Sequence, residues 1–349
     1  MAEIMKLDIV AKSGSIIEVE TARRIWSSLY MADYCCSVGH GIPRCLERLD
    51  SISWHLPMDE ITFRLLRPDR MALSAAWKPG LWAHMVTLVR LAGPVHDLNR
   101  RTATGDTDNA RLDKTVEQLG QQLESWLESL PSDVQMTVQN LNAQQQTGLG
   151  GLFISLHLGY HHYSTLLYFR FLESQQASIE VYRTYIKKCK YHAASFSSLL
   201  HLSRQMKNCG INYPTIGHMT AVASSVLVHT LLFGNMEETE KARRELNNNF
   251  EALIELRQHW PAAYAMIHRL MTFQNICLLS TQSYKLDGWM VRYLLEHSLP
   301  LEKRDLPIVL PELDLDMCKL PSNADRFIDL GRYTDFEVMS PVKWNHYEH

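Results

Sequence analysis

Several familiar signals are missing from this sequence of 349 residues. It has no basic excess: 35 lysines and arginines stand against 38 acidic side chains, a formal charge of -3, whereas phosphate backbones select the opposite balance. Autonomous nucleic-acid binding is therefore not expected. Cysteine is scarce, seven in all, and its spacing fits neither a zinc knuckle nor a disulfide framework, so the thiols read as small apolar packers. The opening MAEIMKLDIVAKSGS lacks a charged start followed by a long apolar run, so no signal peptide is visible and a reducing, intracellular setting is the default. Strict apolar and polar alternation persists nowhere, and no internal repeat of fixed period stands out.

Hydrophobic residues are plentiful, at 46%, enough to bury a sizeable core. The most apolar stretch, Leu149 to Leu172, approaches bilayer length, but His157, His161 and His162 near its middle and Arg170 near its end argue against a membrane span. It reads instead as a helix buried at the centre of a helical domain. From Asp108 to Leu130, apolar residues at Leu112, Val116, Leu119, Leu123, Trp126, Leu127 and Leu130 recur every three or four positions and predict an amphipathic helix ended by Pro131. Similar stripes begin at Ile179, Val222, Leu246 and Tyr264, with Pro214, Gly217 and Pro261 as breaks. The polar runs RRTATGDTDN (100–109) and LNAQQQTG (141–148) read as surface loops. The fold class is all-α: a single large multi-helix domain over residues 1–298, then an irregular, acidic and Pro-rich tail over 299–349, packed on the domain or partly disordered.

Candidate chemistry is sparse. His157 and His161 are four apart, a spacing that can present two imidazoles to one metal, but Leu158 follows His157 where a zinc-protease motif needs glutamate, and no third ligand is near. Histidines satisfied by hydrogen bonds are the commoner outcome, so no metal or cofactor is expected. Cys35, Cys36 and Cys45 are expected to pack, and Cys189 with His192 lacks an orienting third group. GLGG at 148–151 matches no phosphate-binding pattern and reads as a flexible loop. The basic doublets at Arg23 and Arg24, Arg100 and Arg101, Lys187 and Lys188, and Arg243 and Arg244 are dispersed and read as solvated faces or ion pairs.

One segment is more specific: ETARRIWSSLYMADYCCSVGHGIP, residues 20–43. With Glu20, Arg23, Arg24, Ile25, Trp26, Leu29, Tyr30, Met31 and Asp33, then Gly39, Gly41 and Pro43, it resembles the signature of the regulatory middle homology region of fungal zinc-cluster transcription factors. Ser27 replaces the second tryptophan of the usual pair, and Ile42 the arginine between glycine and proline. LDSISWHLP (49–57), WLESLP (126–131), LHLGYHHYSTLLYFRFL (156–172) and HWPAAYAMIHRL (259–270) extend the resemblance over roughly 18–285. Read physically, Ile25, Leu29, Ala32 and Cys36 form one stripe with Trp26, Tyr30, Asp33 and Ser37 on its flank. The signature residues Glu20, Arg23, Arg24, Trp26, Asp33, Gly41 and Pro43 are expected to hold the scaffold, Arg23 and Asp33 finding any ion-pair partners on other helices.

The resemblance implies a nuclear, non-enzymatic transcription regulator. The family's six-cysteine zinc cluster has no counterpart in these residues, which leaves three readings: a shortened chain, a regulator acting through a DNA-binding protein partner, or a helical scaffold reused for small-molecule binding or biosynthetic catalysis. In the last, His157, His161 and His162 would converge on a pocket between helices. The first two imply a role in metabolic or secondary-metabolite gene control, with protein partners, a possible small-molecule effector, no direct nucleic-acid contact and no membrane.

Overall fold

The computed structural model describes residues 15–46, 56–67, 77–104, 109–172, 180–234, 236–279, 287–299 and 301. Helix α1 (Ile16–His40) starts at a capping box: the Ser15 hydroxyl accepts from the Glu18 N–H, and the Glu18 carboxylate accepts from the Ser15 N–H. Then come α2 (Glu60–Arg64), α3 (Leu81–Ala103), α4 (Asn109–Glu128), α5 (Val138–Gln146) and α6 (Gly150–Tyr168), the last extended by a 3₁₀ turn at Phe169–Leu172. The order closes with α7 (Glu180–Gln205), α8 (Ile216–Phe233), α9 (Met236–His259), α10 (Ala263–Leu279) and α11 (Gly288–Leu294). A single Met58–Pro79 bridge is the only strand-like pairing among the described residues. The all-α, single-domain expectation is borne out.

Helix α6 is the axis, because sixteen of its nineteen residues are buried and a helix apolar all round must be covered all round. It packs on α3, α4, α5, α7 and α8, while α8 sits among α7, α9 and α10. The stripe of α4 works as its spacing predicts: Leu112, Val116, Leu119 and Leu123 are buried, and Glu117, Gln118, Gln121 and Gln122 face water. Each such leucine contributes about 1.5–3 kcal/mol by leaving water. Arg269 of α10 closes the domain: its guanidinium donates to the carbonyls of Arg292, Tyr293 and Leu299, holding α11 and the turn behind it.

Three loop expectations need correction. LNAQQQ belongs to α5, which forms because the Thr137 hydroxyl caps it at the Asn140 N–H and Leu141 anchors its one buried position. In GLGG, Gly150 and Gly151 are the first turn of α6; a side chain at Gly150 would strike the Cys209 sulfur, so absence of bulk permits packing rather than flexibility. Arg100, Arg101, Thr102 and Ala103 complete α3 instead of starting a loop. Gly217, expected as a break, is the second residue of α8, in contact range of Leu256. Most of LDSISWHLP and, beyond Leu299 and Leu301, the 299–349 tail lie outside the described residues.

Candidate functional site: the signature clasp and the cleft beside it

Glu20, on the first turns of α1, is fully buried. Its Oε1 accepts from the Met58 N–H (2.9 Å) and from Arg24 Nε (3.1 Å), and Arg23 Nη1 stands 3.5 Å from Oε2. Burial still wins over these partners and raises the Glu20 carboxyl above the usual range. Arg24 also donates to the Met58 carbonyl (2.7 Å), lies over the Phe63 ring and stands 3.9 Å from Glu60. Glu60 in turn accepts the Leu81 and Trp82 N–H groups (2.9 and 3.0 Å), capping α3. The signature thus ties α1, α2 and the start of α3 into one clasp. The expectation that Arg23 pairs across helices is corrected: its partner, Glu20, is three residues away on the same helix, where the two side chains meet.

At the other end of α1, Gly41 takes a left-handed φ of 66°, and its N–H and that of Ile42 close the helix onto Ser37 and Val38. Gly39 admits a close neighbour: a Cβ there would lie 2.6 Å from the His297 ring, and the Gly39 carbonyl accepts from the Ser298 N–H. Asp33 accepts from the Cys45 and Leu46 N–H groups, both at 3.1 Å, and stands 3.9 Å from Arg44. Its partners therefore come from the following turn, not from another helix. The Pro43 carbonyl accepts from Ser37 Oγ. The stripe is corrected as well: α1 buries Trp26, Tyr30, Tyr34 and Ser37, while Ala32 and Cys36 are exposed, because the aromatic flank is the side that α3 covers. Cys45 is also exposed, so neither Cys36 nor Cys45 packs in the core, whereas Cys35 is half-buried beside a small histidine-lined cavity and burial raises its thiol to about 11. Cys189, enclosed beside Thr165, has its thiol held in the protonated form by burial.

Between α1 and α3 the clasp and the turn leave a cleft of about 520 Å³. Tyr30, Tyr34 and Arg44 wall one side; Arg90, His96 and Arg100 wall the other. Tyr34 Oη lies 2.9 Å from His96 Nδ1. Burial pushes His96 down to about 3 and raises the Tyr34 phenol, so a neutral imidazole accepts from a phenol that keeps its proton.

The three histidines proposed to converge do not. His157 donates from Nε2 to the Val134 carbonyl (3.0 Å), fixing the turn before α5. His161 faces His192 of α7, Nδ1 to Nδ1 at 2.9 Å, both held neutral by burial. His162 turns to a third side, toward His218 and a cavity of about 60 Å³ that His96 and His297 also line. Helical spacing separates His161 from His162, since neighbours one apart diverge by about 100°, while His157 and His161 are parted by their different partners, Val134 and His192. Among the described residues no group of three or more histidine, cysteine or acidic side chains is placed to hold a metal, and no helix is long and apolar enough to cross a membrane. Glu60, Arg44, Arg90 and His96 went unrecognised in the sequence, and Arg100 was read there only as part of a basic doublet; only the Asp59 cap of α2 carries a local signal.

Residues 6–128, the stretch holding the clasp and the cleft, match the family model of the fungal specific transcription factor domain. The similarity supports a transcription-factor regulatory role in general, and the matched family is one of regulatory domains, not of enzymes. The match ends at α4, short of the later segments that extended the resemblance. No curated protein and no solved structure matches the chain.

Proposed function

We propose that the chain is a nuclear regulator of metabolic or secondary-metabolite genes that acts through a DNA-binding protein partner and responds to a small-molecule effector. The observation that carries this reading is the family match over 6–128, coinciding with a clasp in which Glu20 and Arg24 tie α1 to the segment before α2. A signature used for architecture leaves the regulatory work to surfaces and clefts that the architecture presents. The near-neutral charge, and basic residues tied to carboxylates such as Lys188 with Glu124 and Lys190 with Glu238, support the delegation of DNA reading to a partner.

The test is the full chain fused to a heterologous DNA-binding module on a reporter, together with deletion of the gene and transcript profiling. A reporter response and a coherent set of changed transcripts are expected, and the unfused chain should give no sequence-selective shift of duplex DNA. Unchanged transcripts together with accumulation of one biosynthetic intermediate would replace this reading with the enzymatic one.

A further inference from the structure

The polar lining of the cleft between α1 and α3 is rich in donors. Arg44, Arg90 and Arg100 bring three guanidinium groups to it against a single lining carboxylate, Asp97. Asp97 stands 3.9 Å from Arg100, and Arg90 makes no ion pair among the described residues. Arg44 is poorly compensated. Its nearest carboxylate, Asp33, is 3.9 Å away and already accepts two backbone N–H groups, and its Nε and Nη2 are enclosed with no acceptor among the described residues. The guanidinium instead lies over the rings of Tyr30 and Tyr34, which fix its position but supply only part of a counter-charge. A largely buried cation without a full partner is costly and raises the local potential.

Neutral groups repeat the pattern. Tyr30 lines the cleft and its hydroxyl makes no hydrogen bond among the described residues, and His96, accepting at Nδ1 from Tyr34, carries its proton on Nε2. Asp97 is the one carboxylate among these lining residues, so positive charge exceeds negative on the walls, and the volume of about 520 Å³ lies within the ordinary span of small-molecule sites, about 300–1,000 Å³.

We propose that this cleft binds a small organic oxyanion, a carboxylate- or phosphate-bearing metabolite, between Arg90 and Arg100 on α3 and Arg44 on the turn after α1. The ligand supplies the counter-charge that one carboxylate against three guanidinium groups leaves short. It also bridges α1 to α3, so occupancy tightens the half of the domain that carries the family signature. As the identity of the effector, this rests on the regulatory reading; as a binding site, it does not.

The experiment is calorimetric titration and thermal denaturation of the purified full chain with citrate and with inorganic phosphate, each against sodium chloride at matched ionic strength. A saturable rise in melting temperature with citrate alone assigns a carboxylate ligand, and with phosphate alone a phosphorylated one. Arg90→Gln and Arg100→Gln remove charge from exposed or half-exposed positions and should keep the fold; each is expected to weaken binding about tenfold or more. Arg44→Lys, which keeps charge but loses the planar fork, should weaken it as well. No oxyanion-specific shift, or affinities unchanged in the two α3 variants, would overturn the proposal whatever Arg44→Lys does. Citrate or phosphate binding that leaves the reporter fusion unaffected would count against the regulatory reading alone.

Discussion

Tyr34 and His96 are 62 positions apart in sequence, and the hydroxyl of one donates to the Nδ1 of the other across 2.9 Å. This bond joins α1 to α3 at the wall that the cleft shares with the small histidine-lined cavity. Tyr34→Phe would leave the buried Nδ1 without a donor at a cost of about 1–3 kcal/mol. The Tyr34→Phe, His96→Phe pair should lose less than the sum of the single changes, by about 1 kcal/mol, in urea unfolding. Strict additivity would mean that the bond contributes nothing to stability.

Acid should unfold this domain earlier than its carboxylates alone would require. Burial lowers His96 and His162 to about 3 and His157 to about 4, all three well under the ordinary value of 6.5. Below about pH 6.5 the unfolded chain therefore takes up protons that the folded chain refuses, and stability falls. Each histidine contributes about 1.4 kcal/mol of loss per pH unit until the pH reaches its folded-state value. Urea midpoints are expected to be level above about pH 7 and to drop steeply toward pH 5. His157→Gln, which keeps a donor for Val134, should make the slope shallower by about one proton; a level wild-type profile over that window would refute the assignment of neutral buried imidazoles.

Gly80 is the residue that lets Glu60 cap α3. A Cβ at this position would lie 2.6 Å from Glu60 Oε2 and 2.7 Å from Oε1, the two oxygens that accept the Leu81 and Trp82 N–H groups. Gly80→Ala must displace the carboxylate and uncap the helix, so a loss of about 2 kcal/mol is expected. In a Glu60→Ala background the same substitution should cost under about 0.5 kcal/mol, because nothing remains to be displaced. Equal costs in the two backgrounds would show that the glycine serves some other purpose.

What was legible in the sequence follows from where the determining contacts lie. The α4 stripe is local: Leu112, Val116, Leu119 and Leu123 sit on one face and polar residues on the other, so spacing alone sets the buried side. Helix α1 carries apolar residues on two faces, and only its contact with α3, some sixty positions on, selects Tyr30 and Tyr34 over Ala32 and Cys36. Helix α5 has one buried leucine in a polar run, too little pattern to separate from a loop. The cleft was hidden for a similar reason. Arg44 is 46 positions before Arg90, and nothing in the sequence around either residue indicates that the turn after α1 brings them to one opening.

The clasp ranks three signature residues that the sequence alone could not separate. Arg23 forms one long, partly exposed ion pair within its own helix, so Arg23→Ala should cost no more than about 1 kcal/mol. Arg24 engages Glu20, the Met58 carbonyl and the Phe63 ring at once; its removal leaves the buried Glu20 with only the Met58 N–H and the long Arg23 pair against burial, and about 3–5 kcal/mol is expected. Trp26, buried in a small cluster with Ala22, should cost about 3–5 kcal/mol as Trp26→Ala through the cavity it leaves. Thermal denaturation of the three purified variants gives the order directly. If Arg23→Ala proved as damaging as Arg24→Ala, the clasp would have to be centred on the outward-facing arginine, and the hydrogen bonds of Glu20 and Arg24 to Met58 would not be what holds α1 to the segment before α2.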